Sequence, residues 1–243
     1  MDKKHFANKL DKVQDIIDIK TNQIEEINQL IKSQFVDMFG TKQDGFKCSK
    51  TEFNNCVINM LKGPFGSDIK KSLYVPKSSD TYKVYIQINA INKNQTLGDY
   101  WISKEYFDSK MFKFELKPKD YIATCDGTLG KLLRLDENME KGIISASLLR
   151  ITLDESVITP EYFENVWSLF MLDEMRKDIR NACLTHLPSS KVIGKIEVPL
   201  PSIEKQKEFS NIVKLLAKQK LEIQKSLEEV QKLQESLMNK YFG

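Results

Sequence analysis

The sequence predicts an α+β fold in which one mixed α/β domain is flanked by two long helices that pair as an antiparallel coiled coil. Three observations lead to this prediction. Residues 6–40 are repeated at residues 209–243, and each copy carries apolar residues at helical spacing. Between the copies, the chain changes to short strand-like runs separated by turn residues.

The repeat brackets the chain. The two copies align without a gap at an offset of 203 residues, and eight of the 35 aligned positions are identical, which is well above chance. The shared ending, an aromatic residue followed by glycine, is the most specific part of the match. The identical pairs are Phe6/Phe209, Asn8/Asn211, Glu25/Glu228, Glu26/Glu229, Leu30/Leu233, Ser33/Ser236, Phe39/Phe242 and Gly40/Gly243.

Apolar residues in both copies recur at alternating steps of three and four, the pattern of an a/d heptad seam that Lys20 and Lys220 interrupt. Neither copy contains proline or an internal glycine, so each predicts a helix of about 50 Å. One helix leads into the middle segment and the other leaves it, so a pair within the chain would be antiparallel. The alternative is two helices lying against an ordinary core. The seam residues are Leu10, Val13, Ile17, Ile24, Ile27 and Ile31 in the first copy, and Val213, Leu216, Ile223, Leu227, Val230 and Leu237 in the second.

The middle segment predicts a mixed domain. Residues 83–91 alternate like a strand, and residues 111–116 and 121–124 are rich in β-forming residues. Turn signals occur at Asp126-Gly127 and Lys141-Gly142. We therefore expect an N-terminal helix over residues 1–40, the mixed domain over residues 41–200, and a C-terminal helix over residues 201–243.

One helix is expected inside the mixed domain, over residues 160–180. Thr159-Pro160 is a suitable start, because proline is tolerated in the first turn of a helix. The helical spacing leaves four apolar residues for a core face: Phe163, Val166, Phe170 and Met171.

Composition favours a soluble, cytoplasmic protein. The net charge of +3 is too small to indicate a nucleic-acid partner by itself, although a local basic face remains compatible with one. The four scattered cysteines include no CxxC pair, and with two histidines they do not predict a zinc site. No leader peptide opens the chain, and no apolar run is long enough to span a bilayer, so we expect no membrane partner.

Motifs for catalysis or cofactor binding are missing from the sequence. It has no Asn/Asp-Pro-Pro-aromatic methyltransferase motif and no glycine-rich cofactor loop. Residues 127–131 lack the glycine spacing of a phosphate-binding loop, and Leu132 stands where Ser or Thr would hold magnesium. Asp68-Ile69-Lys70 resembles part of a nuclease site, but such a triplet occurs by chance in any charged chain. We expect no enzymatic activity, no cofactor and no metal.

Four segments resemble motifs of the specificity subunits of type I restriction–modification systems. Residues 62–67 (KGPFGS) resemble the family's (R/K)GPFGS turn, and residues 120–131 (DYIATCDGTLGK) its GDILISxxGxxGK segment. Residues 142–150 (GIISASLLR) resemble its xxxxNQSLxRI strand. His186-Leu187 with residues 198–206 (VPLPSIEKQ) resembles the HLN…IPLPPLxEQ segment before the conserved helix. The motifs occur in the family's order and cover nearly the whole chain.

The resemblance implies a division of labour. Specificity subunits carry two target recognition domains separated by two conserved helices, and each domain reads one half of a bipartite sequence in double-stranded DNA. The helices set the spacing and dock methyltransferase subunits, through which restriction subunits join. Only one recognition domain is present here, so we expect a half-length form that pairs as a homodimer or with another half-subunit. The alternatives are a coiled-coil scaffold without DNA specificity and a nuclease hidden in the mixed domain.

The candidate DNA contacts are polar side chains near predicted turns, because phosphates are held by lysine, hydroxyls and amides, and bases are read by groups such as Asn, Gln and Ser. A solvated basic loop around Lys62, ordinary turn capping at Asn92 and a buried His186 are the alternatives. We expect Phe65 and Tyr85 to pack in the core rather than stack on bases. The candidates are Lys62, Ser67, Lys70, Lys71, Gln87, Asn89, Asn92, Lys93, Thr124, Asp126, Thr128, Lys131, Ser145, Ser147, Thr185 and His186.

Overall fold

A computed structural model of the chain describes residues 3–91, 99–127, 129–177 and 186–242; at residues 3–7, 89, 177, 241 and 242 it describes the backbone alone. Contacts divide the chain into two units. The helical unit contains residues 1–47 and 204–243, and the mixed unit contains residues 48–203.

The described helices and strands follow one another as a long helix, a mixed segment and a second long helix. In chain order they are α1 (Lys3–Phe39), β1 (Gly40–Thr41), β2 (Gly45–Phe46), β3 (Lys50–Glu52), β4 (Val57–Lys62), β5 (Thr81–Tyr85), α2 (Gln87–Ala90), β6 (Tyr100–Ser103), α3 (Lys104–Tyr106), β7 (Glu115–Leu116), β8 (Tyr121–Thr124), β9 (Leu132–Arg134), β10 (Gly142–Ile144), β11 (Leu148–Leu153), α4 (Pro160–Val166), α5 (Leu172–Lys177), α6 (Ser190–Gly194), β12 (Glu197–Pro199) and α7 (Ile203–Phe242).

In the helical unit, the two repeats form α1 and α7 and pair antiparallel. Lys220 Nζ donates to Asn28 Oδ1 at 2.8 Å, and Gln234 Nε2 donates to Gln14 Oε1 at 2.9 Å. Later residues of α7 contact earlier residues of α1, so the two helices run antiparallel. The Lys220 contact also explains one seam interruption, because its ammonium group finds an acceptor on the opposite helix.

The predicted seam lies on the inner side of both helices. Every seam residue is buried or partly buried, and Val13 and Leu216 are each 8% exposed. At one end of the pair, the ring of Phe209 packs edge-on against the rings of Phe35 and Phe39, with centroids 5.6 and 5.5 Å away. The long helices and their direction agree with the prediction, and the knobs-into-holes packing of a coiled coil stays a prediction.

The mixed unit contains two four-stranded sheets and a short two-stranded ladder. One sheet has the order β6-β5-β10-β7, and its β5–β10 pair is parallel. The other sheet has the order β4-β11-β8-β9 and is antiparallel throughout. Strands β3 and β12 pair antiparallel near the ends of the unit. The predicted α+β fold class, with long helices at both ends of a mixed domain, is therefore confirmed.

The predicted helix from Pro160 is present up to Lys177, and residues 178–180 lie outside the described part of the chain. A π-helical turn at Trp167–Met171 joins α4 to α5. The four predicted core residues, Phe163, Val166, Phe170 and Met171, are all buried. The ring of Phe163 stacks on that of Phe53 at 5.6 Å and packs edge-on against that of Tyr121 in β8 at 5.0 Å, which fixes the helix against the antiparallel sheet.

Two predicted strands are wrong in part. Over residues 83–91 the strand ends at Tyr85, and one helical turn follows, in which the amide of Ala90 donates to the carbonyl of Ile86 at 2.9 Å. Ile86 and Ala90 both pack against the core, and residues four apart lie on one face of this helical turn. Over residues 111–116, only Glu115–Leu116 forms a strand.

Gly142 is the first residue of β10 rather than a turn residue. A side chain at this position would lie 2.3 Å from the carbonyl oxygen of Lys83 on the neighbouring strand, so glycine is required by close packing. No helix among the described residues has the apolar length that crossing a membrane requires.

Candidate nucleic-acid interface

The loop after β4 starts with a glycine that is locked against a neighbouring turn. The Gly63 amide donates to the Leu148 carbonyl at 2.9 Å. A Cβ atom at Gly63 would lie 1.9 Å from the carbonyl oxygen of Ser145, so only glycine allows this approach. The motif glycine of the KGPFGS segment is therefore explained by packing of the loop onto the turn at residues 145–147.

That turn is the point where several segments with predicted DNA contacts meet. The Ser145 amide donates to the Tyr85 carbonyl at 3.0 Å, and the Cys125 amide donates to the Ser147 carbonyl at 2.8 Å. The two serine hydroxyls lie 3.2 Å from each other. The turn therefore joins the end of β5, the end of β8 and the loop at Gly63 on one side of the mixed unit.

The segment after β8 forms a closed loop. The Gly130 amide donates to the Thr124 carbonyl at 2.9 Å, and the Lys131 amide donates to the Thr124 hydroxyl at 3.0 Å. Trp167 Nε1 donates to the Gly130 carbonyl at 2.8 Å and ties the loop to the buried helix. Thr124 is fully buried, so its hydroxyl holds the loop together, whereas Lys131 is exposed.

Asp126 and His186 lie opposite each other in this region. They form an isolated antiparallel bridge, and Nδ1 of His186 is hydrogen-bonded to Oδ1 of Asp126. The Asp126 carboxylate thus has an imidazole as its hydrogen-bond partner. The side chain of His186 is 61% exposed, so the alternative of a buried histidine is wrong. The Leu187 amide donates to the Cys125 carbonyl at 2.8 Å and fixes the bridge to the loop.

The pKa of the Cys125 thiol reflects the charged residues that these loops bring close to it. Burial raises the pKa of its thiol to about 11, the positive charge of Lys62 acts in the opposite direction, and the negative charge of Asp126 adds to the rise. Lys62, at the end of β4, and Asp126, in the loop after β8, therefore both lie near the buried sulfur atom of Cys125. A thiol that stays protonated at neutral pH is not an activated nucleophile.

Gln87 joins this surface from the first turn of α2. Its Nε2 atom lies 3.9 Å from the position of a Cβ atom at Gly127, a residue with a φ of +64°. Sequence reasoning placed Gln87 on a strand, but the helical turn brings its amide to the loop after β8. Tyr85, just before it, is buried as predicted, and its hydroxyl donates to the Glu140 carbonyl at 2.7 Å.

The predicted contacts fall into three groups in the structure. Exposed side chains suited to phosphate contact are Lys62, Ser67, Lys70, Lys71 and Lys131. Side chains that take part in the joined loops are Gln87, Thr124, Asp126, Ser145, Ser147 and His186. Of these, Thr124 and Ser145 are buried, so their prediction as DNA contacts is wrong; their hydroxyls serve packing and hydrogen bonding within the loops. The remaining candidates, Asn92, Lys93, Thr128 and Thr185, lie outside the described residues, and Asn89 is described by its backbone alone.

Sequence reasoning missed three residues at this surface. Phe65 was expected in the core, but it is 83% exposed. Lys110 and Lys113 line an open groove of about 540 Å³ beside it, together with Lys62. The predicted strand over residues 111–116 would not bring Lys113 to this groove, and Lys110 lies just before that range. The helical turns at Phe107–Met111 and Phe112–Phe114 place both lysines beside the loop. Within the described part of the chain, no cluster of His, Cys, Asp and Glu could hold a metal ion.

Comparison with solved structures relates this arrangement to known proteins. The HsdS subunit from Thermoanaerobacter tengcongensis matches with a TM-score of 0.57 at 12% sequence identity, over 98% of this chain and 56% of that one. The type I restriction–modification S subunit from M. genitalium matches with a TM-score of 0.53 at 14% identity, over 99% of this chain and 58% of that one. The chain has the fold of HsdS specificity subunits.

A further match comes from a structure on complex assembly and conformational transition of the type I R-M system, with a TM-score of 0.61 at 12% identity. It covers 97% of this chain and 56% of that one. The present chain thus spans little more than half the length of each of these three matched chains. No protein-family model and no curated protein matches the sequence.

Proposed function

We propose that this chain is a sequence-specific DNA-binding subunit of a type I restriction–modification complex, which reads one half of a bipartite target through its mixed unit. The observation that carries the proposal is the meeting of the KGPFGS loop, the first turn of α2, the loop after β8 and the His186 bridge around Ser145–Ser147. These segments bring lysines, the partly exposed Ser147, an amide and an imidazole together, and such groups contact phosphates and base edges.

The test of DNA reading is salt-dependent binding of labelled duplexes to the purified chain. Binding through lysine–phosphate contacts makes log K fall linearly with log salt concentration, by roughly 0.9 for each phosphate neutralised. We expect binding to random duplex that weakens steeply with salt. Absence of salt-sensitive binding at low salt would favour the alternative of a scaffold without DNA specificity.

The helical unit is proposed to dock methyltransferase subunits, and the repeat supports this. None of the seam residues is identical between the two copies. Five of the eight identical pairs are instead exposed in both copies: Asn8/Asn211, Glu25/Glu228, Glu26/Glu229, Leu30/Leu233 and Ser33/Ser236. Identity on a solvent face is not required by packing, so we infer that the same partner surface contacts each helix.

The chemistry of this exposed face suggests the partner's surface. On α1, residues Glu25, Glu26, Leu30 and Ser33 line an open groove of about 560 Å³. Leu30 is 44% exposed and its counterpart Leu233 is 51% exposed. Two carboxylates beside an exposed leucine suit a basic partner surface with an apolar recess. Two equivalent faces on one helix pair would bind two methyltransferase subunits.

Docking is tested by titrating the methyltransferase subunit of the same system against two variants. We expect Leu30→Asp combined with Leu233→Asp to weaken binding ten-fold or more, the scale of a lost interface anchor. Leu215→Asp is the matched control, because Leu215 is 60% exposed but its repeat counterpart is Lys12. Equal affinities for both variants would remove the support that the repeat gives to docking.

Pairing of two half-subunits and the absence of catalysis complete the proposal. We expect the chain to sediment as a dimer at micromolar concentration, which would present two recognition domains symmetrically. A monomer under these conditions would contradict the homodimer and leave pairing with a different half-subunit. Magnesium-dependent cleavage of DNA by the chain alone would instead support the nuclease alternative. A protein that reads cellular DNA in such a complex is expected in the cytoplasm.

A further inference from the structure

Phe65 is displayed on the surface by a loop that is held in place. Its side chain is 83% exposed, whereas the preceding Pro64 is buried. The Asp68 amide donates to the Phe65 carbonyl at 2.8 Å, and the Asp68 carbonyl accepts from the hydroxyl of Tyr106 at 2.7 Å. With Gly63 locked against Ser145, the loop is fixed on both sides of Phe65. The exposure of this ring therefore results from a defined backbone conformation.

A basic groove lies directly beside the ring. It is lined by Lys62, Lys110 and Lys113, with Asp68 as an opposing charge, so these side chains carry a net charge of +2 (three minus one). Lys110 Nζ lies 5.9 Å from the ring centre of Tyr106, and Lys113 Nζ lies 4.9 Å from that of Phe114. Among the described residues, neither lysine forms an ion pair. Their ammonium groups remain available to an anionic partner.

We propose that Phe65 contacts bases of duplex DNA as an apolar wedge, while Lys110 and Lys113 hold the phosphates beside it. The proposal rests on the proposed function and adds to it a specific aromatic contact and two phosphate contacts. An apolar side chain inserted between base steps partly unstacks them and kinks the duplex. Lysines beside such a wedge neutralise the phosphates that the kink brings close to the protein.

The neighbouring charges favour DNA over a protein partner. Lys62 lies directly before the loop, and Ser67, Lys70 and Lys71 follow it, so exposed phosphate-binding groups flank Phe65 along the chain. In a DNA groove, bases lie between the phosphates of the two strands, so an aromatic ring with lysines on both sides is complementary to it. A protein interface core, in contrast, is depleted of lysine.

The ring is tested by the affinity for duplex DNA, and the lysines are tested by the dependence of that affinity on salt concentration. Phe65→Ala is expected to weaken duplex binding roughly ten-fold, the scale of one aromatic contact to a base, and to leave the salt slope unchanged. Lys110→Ala with Lys113→Ala is expected to lower the slope of log K against log salt by about 1.8, at about 0.9 per phosphate. Phe65→Tyr keeps an aromatic wedge and is expected to retain near wild-type affinity.

Matched controls lie on the same helical segment. Phe112 is 61% exposed but does not line the groove, so Phe112→Ala is expected to leave binding unchanged. Lys104 is paired with Asp108, so Lys104→Ala is expected to leave the salt slope unchanged. A duplex with 2-aminopurine at each position in turn reports unstacking directly; a fluorescence rise with wild type that is absent with Phe65→Ala supports the wedge.

The possible results separate this inference from the proposed function. If the wild-type chain binds no duplex, both fall. If it binds with salt sensitivity but Phe65→Ala matches it in affinity and in 2-aminopurine fluorescence, the wedge is overturned and DNA binding stands. If Phe65→Ala binds DNA normally but loses the methyltransferase subunit, the ring belongs to a protein interface, and the inference is likewise overturned.

Discussion

The contact between Gly63 and the Ser145–Ser147 turn gives a prediction with a control in the same loop. A methyl group at Gly63 would lie 1.9 Å from the carbonyl oxygen of Ser145 and 2.6 Å from its carbonyl carbon. These backbone atoms cannot rotate away, so Gly63→Ala must push the loop and the turn apart. Overpacking of this kind lowers the free energy of unfolding by about 1–3 kcal/mol. Weakening of the 2.9 Å bond from Gly63 to Leu148 adds about 1 kcal/mol.

Gly66→Ala is the control, because a Cβ atom at Gly66 meets nothing within 4 Å and its φ lies outside the left-handed region. This change is expected to raise stability by about 0.4–1 kcal/mol, since alanine restricts the unfolded chain. The free energies of unfolding of the two variants, measured in urea, should therefore differ by roughly 2–5 kcal/mol, with Gly63→Ala the less stable. Two variants of equal stability, or Gly66→Ala as the less stable one, would refute the packing argument. If the joined loops bind DNA, Gly63→Ala should also weaken binding to every duplex.

Two further predictions concern exposed lysines and buried thiols. Lys70→Ala with Lys71→Ala should weaken binding to all sequences and lower the salt slope by about 1.8; unchanged affinity for every duplex would show that these exposed residues are wrongly assigned. Burial raises the pKa of Cys56 and of Cys125 to about 11, so their thiolate fractions are small at pH 8 and grow as the pH approaches 11. Peptide mapping after alkylation at pH 8 should show both protected relative to the partly exposed Cys48; rapid labelling of Cys125 would contradict its burial.

The long helices and much of the mixed unit could be predicted because their signals are local. The seam repeats over roughly six or seven turns of each helix. The core face of the helix from Pro160 follows from spacing alone, with Phe163 and Val166 fully buried. The strand prediction failed at Gln87 because Ile86 and Ala90, four residues apart, would share one face in a strand as well as in a helix. Packing of these two residues against the core decides for the helical turn.

The site was predictable as a set of turn residues but not as a surface. Lys62, Gln87, Asp126 and His186 are far apart in the sequence, and their approach depends on sheet order, which no local pattern encodes. The exposure of Phe65 could not be predicted either, because hydrophobicity alone favours the core. The signal in the sequence was the Gly63-Pro64 pair, which indicates a close backbone approach and a turn rather than a buried strand.

The central claim is that this chain itself distinguishes DNA sequences. The most direct measurement is selection of duplexes from a randomised library by the purified chain, followed by sequencing of the bound fraction. The account predicts enrichment of one short half-site motif, lost when Gln87, Ser147 and His186 are replaced together by alanine. Bound duplexes with the composition of the starting library would contradict the claim, because binding would then depend on phosphates alone.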